Sequence, residues 1–194
     1  AISGLLSHNL GGPSVFPPQP AGLWRAAFNG ERTWATSEGA DRYRRGLYTF
    51  WRRTIPYPSM AIFDAPSREI CAIKRISTNT PLQAFVGLND PAYLECAQGL
   101  ARRAYREGGR EPADRARYML QLALARPIAA AQILPLVQLY EQELARYQAD
   151  EAAAMQIATA PLGALPEGFA PAEAAAWTLV ANVVLNLDGL LTKR

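Results

Sequence analysis

A chain of 194 residues, 49% apolar and 19% charged, can bury about 70% of its unfolded surface; it needs no disulfide framework or metal to fold, and it is too apolar for a disordered tail. The net charge of +3 is uneven, with eight Arg or Lys against two acids in residues 42–75 and three against seven in residues 138–194. Eighteen arginines beside two lysines at a pI of 9.0 argue against a nucleic-acid footprint, and a single histidine, His8, read as a loop residue, argues against a metal cluster.

The first residues, AISGLLSHNLGG, lack a basic leader and a cleavage pattern. They are expected to be the end of a helix begun upstream, in a C-terminal fragment of a longer protein. Residues 9–24, NLGGPSVFPPQPAGLW, hold four prolines and three glycines, which exclude helix and central strand. The same stretch carries Val15, Phe16, Leu23 and Trp24, too apolar for a flexible linker, so an ordered loop is expected. Residues 50–69, FWRRTIPYPSMAIFDAPSRE, again show neither helical nor strand period. The only strand candidate is EICAIKRI, residues 69–76.

Thr80, Pro81 and Gln83 form a helix start, with Thr80 as cap and Gln83 completing a capping box. Asp90 before Pro91 repeats the signal. From Pro91 the positions Tyr93, Ala97, Leu100 and Ala104 mark one buried face and Glu95, Gln98, Arg102 and Arg103 the other, until Gly108 and Gly109 stop the helix. A third helix is expected from Pro112 to Ala125, ended by Pro127. A fourth presents Ile133, Val137, Tyr140, Leu144 and Tyr147, with Pro135 near its start. Residues 150–168 read as a short helix and a loop.

The last helix is expected from Pro171, burying Ala176, Leu179, Val180, Val183, Val184 and Leu187 and closing at Gly189. Its run AAAWTLVANVVLNL is broken by Thr178, Asn182 and Asn186 and falls short of the ~20 apolar residues of a membrane span, so no transmembrane segment is expected. The whole reads as an all-α single domain over 1–194: a long irregular Pro/Gly/aromatic-rich N-terminal wrap (1–78) and a helical bundle of about five to six helices (79–194).

Four blocks, GGPSV...PPQPAGLW, RRGLYTFWRRTIPYPSMAIFDAPSRE, TNTPLQAFVGLNDPAYLECA and AAWTLVANVVLNLDGLLTKR, closely resemble the C-terminal domain of unknown function of planctomycete-type (PSD family) multi-domain cytochrome c proteins. The resemblance implies an extracytoplasmic, periplasmic setting and a haem c module elsewhere in a parent polypeptide. The chain itself has no C-x-x-C-H haem attachment signal and no cofactor is assigned to it. Cys71 and Cys96 allow one disulfide or two buried thiols.

Asp64 and Glu69 could form a general acid/base pair on a carbohydrate, or pair with Arg52, Arg53, Arg68 or Arg75. Trp24, Trp34, Trp51, Tyr43, Tyr48 and Tyr57 are either a contact face or a small core that holds the wrap. Asn79, Thr80, Gln83, Asn89 and Asp90 are read as helix caps. No residue is assigned a catalytic role. The function expected is a non-catalytic binding or scaffolding module that docks a cytochrome c module, another extracytoplasmic protein or a glycan through Trp24, Trp51, Arg52, Arg53, Tyr57, Asp64 and Arg68. The alternatives are a carbohydrate-active domain using Asp64 and Glu69, and a structural subunit of a membrane-associated redox assembly.

Overall fold

The computed structural model describes residues 1–24 and 33–191. Among these residues the protein is helical without strands, has six helices of at least seven residues, and carries Pro/Gly-rich turns toward its N-terminus, as the all-α reading expects. The helices are α1 (Pro58–Ile62), α2 (Pro81–Asn89), α3 (Pro91–Glu107), α4 (Pro112–Leu124), α5 (Ala130–Ala149), α6 (Glu151–Thr159), α7 (Pro171–Leu185) and α8 (Asp188–Leu191). Five of them begin on proline, whose fixed φ suits the first turn and whose missing N–H would have no intrahelical partner there.

The chain forms two compact units: Leu6–Ala92, and Ala1–Leu5 together with Tyr93–Arg194. Helix α2, which sequence alone groups with the bundle, belongs to the N-terminal unit.

In the C-terminal unit, α7 packs against α5 and α6. Ala174, Ala175, Ala176, Trp177, Val180, Ala181 and Val184 of α7 are all buried. Three successive alanines let neighbouring helices approach closely, and Trp177 fills the space beside them, stacked on Tyr140 of α5 with ring centroids 4.3 Å apart. Val183 is exposed and Leu179 and Leu187 are half-buried, against expectation, because the alanine and tryptophan face is the one that turns inward. Asn186 ends α7 and Gly189 lies inside α8. Helix α5 runs through Pro135 and buries Ile133, Leu136, Tyr140 and Tyr147.

Helix α3 departs from its predicted pattern. Glu95 and Gln98, assigned to the outer face, are each 1% exposed. Gln98 Nε2 donates to the carbonyls of Ile157 and Ala160, both at 2.6 Å. One turn on, Arg102 donates to the carbonyls of Ala158 (3.1 Å), Leu162 (3.3 Å) and Gly163 (2.6 Å). The last carbonyls of α6 have no intrahelical donors, and two polar side chains of α3 supply them. Arg115 of α4 is likewise buried, ion-paired with Glu173 of α7 and hydrogen-bonded to the Gly109 carbonyl at 3.0 Å.

Ala1–Gly4 form a turn, not the expected helical end. The segment passes so close to α3 that a Cβ at Gly99 would lie 2.9 Å from the Ser3 carbonyl oxygen. No helix among the described residues is long and apolar enough to cross a membrane.

Replacing Trp177 by Ala should lower the unfolding free energy by about 3–5 kcal/mol. Val183→Ala, at 37% exposure, should cost under about 1 kcal/mol; urea unfolding followed by circular dichroism measures both.

Candidate functional site

The N-terminal unit is built around rings. Phe16 lies 5.1 Å from Trp34 and 5.0 Å from Phe50, Trp24 lies 5.3 Å from Trp34, and Trp34 stacks on Tyr57 at 5.9 Å. Two of their polar edges are used: Trp34 Nε1 donates to the Pro17 carbonyl (2.8 Å) and the Tyr57 hydroxyl to the Pro18 carbonyl (2.6 Å). Prolines leave carbonyls without a regular ladder, and the aromatic heads supply donors to them. A parallel bridge joins Val15 to Thr49. Trp24 and Tyr57 are 6% and 7% exposed; of the expected contact residues these two are interior groups.

The others lie nearer the surface. Trp51 and Arg52 are half-buried, and Arg53 and Arg68 are exposed. Guanidinium groups sit over aromatic faces: Arg52 over Trp24 at 5.1 Å, Arg68 over Trp51 at 4.8 Å and Arg44 over Tyr48 at 3.7 Å. Such stacking holds a guanidinium group in place; the N–H edge of Arg44 is spent on the carbonyls of Asn9 (3.0 Å) and Gly11 (2.5 Å).

Asp64 closes the neck of a loop. Its carboxylate accepts from the Thr78 backbone N–H at 2.7 Å and from the Thr78 hydroxyl at 2.8 and 2.9 Å, and Gln83 Nε2 donates to it at 3.3 Å. Hydrogen bonds to the charged form lower a carboxyl pKa. The Thr78 amide, then the Thr78 hydroxyl, hold Asp64 below its ordinary value, and Arg75 adds a smaller coulombic effect. A carboxyl held ionised is a poor general acid, and Asp64 is engaged by a hydroxyl and two amide donors. Asp64 and Arg68 both have left-handed backbone, φ 60° and 62°. Asp tolerates that region better than most residues.

Gln83 links this neck to helix α2. Its Oε1 accepts from the Thr80 amide at 2.9 Å while its own amide donates to Thr80 Oγ1 at 3.3 Å, a reciprocal capping box. Its Nε2 also donates to the Ile62 carbonyl (2.9 Å) and Thr78 Oγ1 (3.0 Å). Asp90 Oδ1 accepts from the Ala92 amide at the start of α3 (2.8 Å), Asn89 donates to the Phe85 carbonyl (2.8 Å), and Asn79 is exposed.

With Gln83 and Gly87 inward, α2 is inside out. Leu82, Phe85 and Leu88 are 58%, 64% and 44% exposed. Residues 69–76 form no strand, and Ile70, Ile73 and Ile76 are exposed; a spacing of three does not fit the two-residue period of a sheet face. Sequence reasoning missed these six side chains because apolar residues three apart ordinarily mark a buried stripe. The signal available was the buried-type role of Gln83, which the capping box had already fixed. Cys71 is exposed and Cys96 is half-buried, and the two are not joined in a disulfide.

Because the folded-state pKa of Asp64 is depressed, its clamp contributes fully above the unfolded carboxyl value of ~3.9 and is lost as pH falls through the lower folded value. Amide hydrogen exchange of residues 65–78 should therefore accelerate only below the ordinary carboxylate range. Asp64→Ala should show that fast exchange already at neutral pH, with α7 exchange unchanged.

No curated protein matches the chain, and no solved structure does. A family model described as a protein of unknown function (DUF1553), PSD1, matches residues 1–140. It takes in the whole ring-built unit, the clamp and α2, and stops before the block AAWTLVANVVLNLDGLLTKR, whose last three residues lie outside the described ones. With well over half of its length matched, the chain belongs to the PSD1 (DUF1553) family.

Proposed function

We propose that this chain is a non-catalytic docking module that engages an acidic protein surface, in the first instance a cytochrome c module, in an extracytoplasmic redox setting. The observation that carries the reading is the set of arginines stacked on aromatic faces beside exposed Arg53. A stacked guanidinium loses little freedom when it meets a carboxylate, and Arg with Trp and Tyr dominates interface energetics. The occupied Asp64 clamp supports the same choice, since that carboxylate works as a loop fastener. Haem would reside in the partner, with no cofactor in this chain.

The outward apolar side chains of α2 and of residues 70–76 favour a second reading, a structural subunit of a membrane-associated redox assembly. For the first reading, an extracytoplasmic fraction passed over the immobilised chain should retain a haem c protein, seen by its Soret absorbance. Exchanging Arg52 and Arg53 for alanine should weaken that retention about tenfold or more with circular dichroism unchanged. Equal retention by the double variant would remove the arginine surface from the interface.

A further inference from the structure

We infer that the loop 65–77 docks on an anionic lipid bilayer, with its isoleucine tips entering the headgroup boundary and Lys74 and Arg75 meeting lipid phosphates. The inference goes beyond the protein-docking reading and stands or falls separately from it, because it concerns different residues and a different partner.

Ile70, Ile73 and Ile76 are 79%, 107% and 76% exposed. Leaving one such side chain in water forgoes the gain of burying it, and here three lie within seven residues. Slack chain is not the reason. Thirteen residues lie between Asp64 and Thr78, and the carboxylate of the first is fastened to the amide and hydroxyl of the second. That is the size and closure of an Ω-loop, whose tips are held out by a fixed neck.

Charge decides among occupants. Residues 65–77 carry Arg68, Lys74 and Arg75 against the single acid Glu69, within the stretch 42–75 that has eight bases and two acids. A second copy would bring the same positive charge to the contact, and like charges across an interface oppose association. A purely apolar groove would leave Lys74 and Arg75, which lie between Ile73 and Ile76, without counter-charge. An anionic bilayer supplies both phases in the order the loop presents them: hydrocarbon for the tips, phosphate for the cations beside them. A hollow of about 450 Å³ is lined by Ile70, Lys74, Arg75 and Ile76 and also by Asp64, whose carboxylate is already taken up by Thr78 and Gln83. Each cation near an anionic surface strengthens partitioning roughly fivefold.

The test uses the full chain with vesicles of phosphatidylcholine alone and of phosphatidylcholine mixed with phosphatidylglycerol. Sedimentation should show binding to the mixed vesicles only, weakening as salt is raised. Lys74→Ala with Arg75→Ala should weaken it on the order of twentyfold, and Ile73→Ser with Ile76→Ser should abolish it, with helical circular dichroism intact because these positions are exposed. An environment-sensitive fluorophore on Cys71, in a Cys96→Ser background, should shift to the blue on mixed vesicles. Four results would each overturn the proposal: no binding to either vesicle; equal binding to both; binding indifferent to the loop substitutions; and a self-association of the chain, or a retention of a haem protein, that these substitutions abolish without any vesicle binding. Because Arg52 and Arg53 are untouched throughout, loss of vesicle binding and loss of protein docking are read independently.

Discussion

The side chain of Gln83 is the constraint on which the N-terminal unit depends. That one amide group accepts from the Thr80 N–H at the start of α2, donates to the Ile62 carbonyl at the end of α1, and donates to both Thr78 Oγ1 and Asp64. A buried amide has both donors and acceptors to satisfy, and leaving any of them unpaired costs more than a single bond returns. Here the satisfied network fixes which way α2 faces. Once Gln83 points in, the helix period sends Leu82, Phe85 and Leu88 out.

The C-terminal unit follows a related rule with a different purpose. Gln98 and Arg102 of α3 are used to receive the carbonyls that α6 and the turn after it leave over. Arg115 is used to tie α4 to α7 through Glu173. Polar side chains in this interior join one element to the end of another, while the alanines and Trp177 of α7 supply the close packing. Each such side chain is long enough to span a helix–helix gap and to place N–H donors on carbonyl or carboxylate oxygens at the far side.

Much of this was legible beforehand. Capping residues and helix-starting prolines locate α2, α3, α4 and α7 from short-range chemistry, and the stripe Ile133, Tyr140, Tyr147 locates the inner face of α5. What sequence hid was every place where a polar residue goes in or an apolar one goes out. Glu95 and Gln98 look like surface and are buried; Val183, Phe85 and Ile73 look like core and are exposed. Periodicity reports the chemistry of a face, and tertiary hydrogen bonds decide where that face points. The rings of the N-terminal unit were recognisable as a group, but which of them line the interior, as Trp24 and Tyr57 do, depends on distant proline carbonyls that no local pattern encodes.

The seat of the first residues on α3 bears on how the C-terminal unit assembles. Arg103 donates to the Ile2 carbonyl across 101 positions of chain, and Gly99 admits the Ser3 backbone only because it lacks a side chain. During synthesis residues 1–5 therefore leave the ribosome long before the α3 residues that seat them. Closing so long a loop is entropically slow to begin and cheap to lengthen further, so this contact is one that the unit gains after its helices have packed.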